Sequence, residues 1–138
     1  MKLTTKGRYG LAVIVLLNKN KGKTESLLSI SNSLGLSKIY LEQILAVLKS
    51  HQLVTSVKGP AGGYMIKKEA SLTVFEVLSV LEPVLAPQEI TEKTHKTLGL
   101  ILDEQVYAQL DRAVEERLKS IRIDDLSAQL IEEPMYYI

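Results

Sequence analysis

Residues 53 to 66 read LVTSVKGPAGGYMI, a stretch that asks for a β-hairpin in a chain that otherwise reads as helix. LVTSV alternates in the manner of a half-buried strand, and YMI returns as a short second strand. Between them, three glycines and a proline allow backbone angles closed to other residues and let the main chain approach something closely. From these residues alone, Gly62 and Gly63 either only make the turn or bring bare backbone up to a ligand. A nucleotide-binding loop is disfavoured in detail. There is no GxxxxGK[ST] and no GxGxxG, and the tip lies between two strands instead of opening a helix.

Helical segments precede the hairpin. In TTKGRYGLAVIVLLNKN (4–20) the apolar residues are dense enough for a largely buried helix, with Thr4 or Thr5 as N-cap and Lys19 and Lys21 near its end. A second helix runs through LLSISNSL, where Ile30 and Leu34 stand one turn apart and Gly35 is a stop. The third, LSKIYLEQILAVLKSHQ, takes Ser37 as N-cap and sets Leu41, Ile44, Leu45 and Leu48 at the i, i+3, i+4, i+7 spacing of one buried face. Its free face carries Lys38, Tyr40, Glu42, Gln43 and Lys49. Two helices joined by a short glycine-containing turn, the second bearing polar and basic residues outward, are what a helix-turn-helix requires.

After the hairpin, SLTVFEVLSVLEP (71–83) resumes helical periodicity through Val74, Val77, Leu78 and Leu81, and Pro83 stops it. Pro83 and Pro87 mark an irregular connection. From about Asp103 to Ser120 a long amphipathic helix is expected, with Val106, Leu110, Ala113, Val114 and Leu118 as its apolar stripe. That stripe either folds back on its own domain or pairs with a second copy. So long an extension after a complete small domain favours a homodimer. A last short helix, DDLSAQLI, opens with acidic residues suited to a helix N-terminus, and Pro134 ends it.

The charge is divided along the chain. Residues 1–68 hold 11 basic against 2 acidic residues, a net +9, whereas residues 69–138 hold 6 basic against 14 acidic, a net −8. The first half suits a polyanion, unless its lysines merely solvate a surface. Catalytic and metal chemistry find little support. The chain has no cysteine, so it has no disulfide, thiol nucleophile or thiolate-bound metal. His51 and His95 show no metal-ligand spacing, no GxSxG elbow occurs, and neighbours such as Glu115 and Glu116 point about 100° apart on a helix. No enzyme activity and no cofactor are expected. The longest apolar run, LAVIVLL, is far short of the roughly 20 residues of a membrane span, and with no evident cleavage site the expectation is a cytoplasmic protein.

With helix, turn, helix and hairpin placed, the sequence resembles the Rrf-2 family of bacterial winged helix-turn-helix transcription regulators. KGRYGL (6–11), LSKIYLEQIL (36–45) and LVTSVKGPAGGY (53–64) are similar to that family's first helix, recognition helix and wing, in order and spacing. The likeness extends more weakly through LTVFEVLSVLEP, where the family's usual glycine between Glu and Pro is missing and Glu82 adjoins Pro83. The resemblance implies a mainly α fold with a small β-hairpin wing. It comprises a winged helix-turn-helix DNA-binding domain over residues 1–83, followed over residues 84–138 by a linker, a long C-terminal dimerisation helix and a tail.

It also implies roles. The wing lies along the DNA backbone or dips into the minor groove, bringing Lys58, Gly59, Pro60 and Gly62 to the phosphates. Many relatives have arginine at Lys58; lysine keeps the charge and loses the planar fork. On the recognition helix Ser37 and Tyr40 bind phosphate and Gln43 contacts adenine edges. Glu42 either accepts from cytosine N4 or neutralises Lys38 or Lys49 beside it. Lys2, Lys6 and Arg8 add backbone contacts. Cluster-binding relatives hold iron and sulfur with three cysteines in the stretch matching PVLAPQEITEKTHKTLGLIL, which has none here.

The resemblance is therefore to the cluster-free branch, whose members repress genes of sulfur and cysteine uptake. They sense supply through a cysteine-synthesising enzyme, O-acetylserine thiol-lyase. The terminal MYYI resembles the end of that branch: Tyr137 and Ile138 either dock into the enzyme's pocket or pack against the dimer. The rival expectations are sensing of a different small ligand, an enzyme with its pocket in residues 83–102, or a nucleic-acid or protein interaction module without operator specificity.

Overall fold

The computed structural model describes residues 2–67, 71–85 and 95–130. Helix α1 (Thr5–Lys19) is followed by α2 (Leu27–Leu34) and α3 (Lys38–Ser50), then by strands β1 (Val54–Val57) and β2 (Gly63–Ile66). Helix α4 (Val74–Ser79) and a tight 3-10 turn (Pro83–Leu85) come next. A continuous helical rod is then built from α5 (Lys96–Leu102), a wider π-helical turn (Asp103–Tyr107) and α6 (Ala108–Lys119), and α7 (Ile123–Ala128) closes the described chain. Among the described residues no helix is long and apolar enough to cross a membrane. This is a mostly helical winged-helix architecture with a two-stranded antiparallel hairpin.

Local chemistry sets the helix starts. The side chains of Thr4, Ser26, Ser37 and Thr73 accept hydrogen bonds from the backbone N–H of Gly7, Ser29, Tyr40 and Glu76, each satisfying a donor that the first helical turn leaves open. The apolar faces then meet. Val13, Ile14 and Leu17 of α1, Ile30 of α2, and Leu41, Ile44, Leu45 and Leu48 of α3 are fully buried, and Val54, Ile66, Val77 and Leu78 extend the same core.

The junction of α1 and α4 is unusually close. In a capping box the third helical residue is Glu or Gln, and its side chain reaches back to the N-cap N–H. Here that position is Gly7, which has no side chain, and Glu82 does the work from 78 residues away. Its Oε1 accepts from the Thr4 N–H at 2.8 Å and from the Thr4 hydroxyl at 2.9 Å, while Thr4 Oγ1 accepts from the Gly7 N–H at 3.0 Å. Only 2% of Glu82 is exposed. A Cβ on Gly7 would overlap the Glu82 carboxylate, and one on Gly10 would overlap Leu81, so the two glycines make the seat for the end of the α4 segment. The Glu82 carboxyl group thus lies at the N-terminal, positive end of α1.

The C-terminal segment differs from expectation in several respects. Helix α4 ends at Ser79 rather than at Pro83, which opens the 3-10 turn, and the turn between them faces Glu82 inward. The rod starts at Lys96, not near Asp103, because His95 caps it: His95 Nδ1 accepts from the Leu98 N–H at 3.1 Å. Its apolar stripe is shared between two tasks. Leu118 packs against the molecule's own core and Val114 is half-buried, since the end of α6 lies along α4, where Lys119 Nζ sits 5.1 Å from the centre of the Phe75 ring. Val106, Leu110 and Ala113 are exposed, beside further apolar residues Leu98, Leu100 and Ile101.

Helix α7, expected in the tail beyond the first domain, returns to α1. Ile123 is fully buried, and Leu72–Val74 pairs with Ile121–Ile123 through Val74 N–H to Ile121 O and Ile123 N–H to Leu72 O, both 2.8 Å. Asn18 Nδ2 donates to Asp124 Oδ1 at 2.9 Å and to Ser127 Oγ at 3.1 Å, and Ser127 Oγ donates to the Val15 carbonyl at 3.0 Å. Pro134 lies outside the described residues.

The Gly7–Glu82 seat predicts a reversal of sign. In the parent protein Gly7→Ala displaces a buried carboxylate from its donors and should destabilise by about 1–2 kcal/mol. In a Glu82→Ala background the same change should be neutral or stabilising by up to about 1 kcal/mol, because alanine is the better helix former. Urea unfolding of the four proteins measures this cycle, and additive effects would contradict the seat.

Candidate nucleic-acid interface

The candidate residues lie on three elements that touch one another: the first residues of α1, the free face of α3 and the hairpin. Burial of Leu41, Ile44, Leu45 and Leu48 turns Lys38, Glu42, Gln43 and Lys49 to solvent. Ser37 is exposed and caps α3, its hydroxyl oxygen accepting the Tyr40 N–H at 3.2 Å and its own proton remaining available to an acceptor. Tyr40 is half-buried, because its ring meets the edge of Tyr9 with centroids 6.2 Å apart and planes at 89°. That contact joins the start of α1 to the start of α3. Glu42 forms no ion pair with Lys38 or Lys49 among the described residues, which leaves its carboxylate free to accept from a ligand.

One residue of this face escaped the sequence reading. Ile39, 74% exposed, stands on the first turn of α3 away from the buried stripe. An apolar group there suits a thymine methyl. Its signal in the sequence was an apolar side chain out of phase with its neighbours.

The hairpin pairs Val54 with Ile66 and Val57 with Gly63, so Val54 and Ile66 face the core while the tip stands clear. Lys58, Gly59, Pro60 and Ala61 are exposed, Gly62 is half-buried, and the Gly62 N–H closes the tip by donating to the Gly59 carbonyl at 2.9 Å. Gly59 has φ +105°, a backbone angle that suits glycine. A third edge, absent from the sequence reading, braces the hairpin. Glu25 exchanges two backbone hydrogen bonds of 2.8 Å with Tyr64, and the Thr24 hydroxyl donates to the Ala61 carbonyl at 3.0 Å. A Cβ on Gly63 would overlap the Glu25 carbonyl, so this glycine serves close backbone approach.

The α1 residues take different positions. Lys2 and Arg8 are exposed and Lys6 is half-buried. Arg8 also borders an open apolar groove walled by Leu11, Val15, Leu34, Leu126 and Leu130, between α1, α2 and α7. Tyr137 and Ile138 lie outside the described residues.

A helix-turn-helix whose second helix turns polar side chains outward, a braced glycine-rich hairpin beside it, and a basic N-terminal half define a winged-helix DNA-binding regulator. The model of the Rrf2 family, described as an iron-dependent transcriptional regulator, matches residues 3–129, and the chain belongs to that family. It is 34% identical over 143 residues to the HTH-type transcriptional regulator CymR of Bacillus subtilis strain 168, covering 100% of both proteins. It is 44% identical over 85 residues to the regulator IscR of Escherichia coli K12, covering 59% of this chain and 52% of that protein. The solved structure of B. subtilis CymR, described as that organism's global cysteine regulator, superimposes with a TM-score of 0.79 at 33% identity, covering 95% of this chain and 99% of that one.

A thiolate-held iron–sulfur cluster does not fit the residues present. The chain has no cysteine, and among the described residues no group of three or more His, Asp or Glu side chains converges as a metal site.

The brace predicts a local effect. Gly63→Ala should push Glu25 away from β2, so that the amide protons of Glu25 and Tyr64 exchange at least tenfold faster while those of Ile44 and Leu45 keep their protection, a tenfold change corresponding to about 1.4 kcal/mol of local opening. Hydrogen exchange read residue by residue checks this; unchanged protection at Tyr64 would contradict it.

Proposed function

We propose that this chain is a homodimeric repressor that reads a pseudo-palindromic operator, one α3 entering the major groove of each half-site and each wing lying on the flanking backbone or minor groove. The observation that carries the proposal is the exposed set Lys38, Glu42, Gln43 and Lys49 on a helix whose opposite face is buried, next to a hairpin that presents Lys58, Gly59, Pro60 and Gly62. Gln43 suits adenine and Glu42 suits cytosine N4. Ser37, Tyr40, Lys2, Lys6 and Arg8 hold the register through phosphates. Residues 1–83 supply the DNA-binding part and residues 84–138 the dimerisation part. Exposure of Val106, Leu110 and Ala113 beside Leu98 and Ile101 supports pairing through the rod, a large apolar face being unfavourable in water.

The regulated genes, on this reading, are those of sulfur and cysteine supply. Full-length similarity to CymR, described in B. subtilis as the global cysteine regulator, supports that assignment. Supply is sensed through O-acetylserine thiol-lyase, with Tyr137 and Ile138 captured by the enzyme.

Selection from a randomised duplex pool at about 150 mM salt, where the Debye length of about 8 Å suppresses loose electrostatic binding, tests the reading. A two-fold symmetric motif is expected. Glu42→Ala should relax the preference at one base pair per half-site by about 1–3 kcal/mol and leave the others intact. A folded protein that enriches no motif, with or without the partner enzyme, would contradict the proposal.

A further inference from the structure

The loop between α1 and α2 reads NKGKTE over residues 20–25, and the brace makes it part of the wing. Its end is fixed by the paired backbone of Glu25 and Tyr64 and by the Thr24 hydroxyl on the Ala61 carbonyl at the hairpin tip. Its start is a turn in which the Lys23 N–H donates to the Asn20 carbonyl at 2.9 Å, with Gly22 at φ +89°. Lys21 and Lys23 are exposed, and neither forms an ion pair among the described residues. The nearest acid in sequence is already engaged. Glu25 Oε1 accepts from Asn20 Nδ2 at 2.8 Å and Oε2 accepts from the Ser29 hydroxyl at 2.9 Å. The loop therefore sets two exposed lysines against one carboxylate that is hydrogen-bonded elsewhere, a net positive charge on a segment bonded to the hairpin.

We propose that Lys21 and Lys23 form a second phosphate-binding element, gripping the DNA backbone beside the wing and outside the bases that α3 reads. The inference rests on the regulator reading above. Its occupant is the sugar–phosphate backbone: an ammonium on a flexible stem neutralises phosphate as a point charge and lacks the planar fork of a base-reading arginine. Because the loop and the wing share hydrogen bonds, docking of one carries the other. The contact adds affinity and salt dependence and carries no sequence preference.

The test compares the full chain with its Lys21→Ala/Lys23→Ala variant on the selected operator and on an unrelated duplex, across a range of salt. Each phosphate contact contributes about 0.9 to the slope of log K against log salt, so four lysines in a two-fold complex should make the slope shallower by about 3.6. Affinity should fall by a similar factor on both duplexes, with the selected motif unchanged. Lys21→Arg/Lys23→Arg, which keeps the charge, should restore the slope. An unchanged slope in the alanine variant, while the parent still prefers its operator, overturns this inference alone. A parent that prefers no operator overturns the regulator reading and this inference with it. Loss of self-association at an unchanged slope would place the lysines against the acidic half of a second copy and likewise overturn it.

Discussion

The buried carboxylate of Glu82, held on the N-cap of α1 through the space left by Gly7, decides where the first helix begins and where the fourth segment ends. A carboxyl group this far from water is costly unless donors meet it; Thr4 supplies two, both to Oε1, while Oε2 has no hydrogen-bond partner among the described residues. The cost and its compensation come from opposite ends of the N-terminal unit, so neither end keeps its geometry without the other. Lys2, Lys6 and Arg8 lie on the start of α1, and Pro83 opens the connection to the rod. One hydrogen-bonded junction thus joins the basic edge of the interface to the entry of the C-terminal segment.

Much of the interface geometry follows from two simple allocations of surface. The apolar stripe of α3 goes to the core, and its complement is left to face a ligand. The hairpin gives Val54 and Ile66 to the core and keeps a glycine-rich tip outside it. A two-stranded ribbon alone is marginal in water. The paired backbone of Glu25 supplies the additional edge, and Tyr9 against Tyr40 ties the remaining side of the face together. The polar staple of Asn18, Asp124 and Ser127 then holds α7 on α1, so that the chain beyond the rod contributes to the core from which it departed.

The sequence was legible where the physics is local. The Thr4–Thr5 pair and Ser37 announced helix starts, with Thr4 the actual cap, Gly35 a helix end, and the spacing from Leu41 to Leu48 a buried face, since each depends on residues within one or two turns. The outward position of Lys38, Glu42, Gln43 and Lys49 followed from that spacing as its complement. What stayed hidden depends on partners distant in sequence or on single-residue features without a pattern. Nothing near Glu82 indicates that it caps residue 4, and a single bridged residue such as Glu25 has no alternation to show. Asn18 and Ser127 look like surface polar residues until α7 is placed, and histidine is not an ordinary helix cap, which is why the rod starts earlier than its periodicity suggested. Tyr40 is partly withdrawn from the free face because Tyr9 meets it from another helix.

The most direct test of the regulator reading is a hydroxyl-radical footprint of the purified full-length protein on a selected operator. The account predicts a two-fold symmetric pattern. Backbone protections should flank two major-groove half-sites about one helical turn apart, with further protections beyond each half-site where the wings lie. Uniform protection along the duplex, or a single unsymmetric patch, would contradict it.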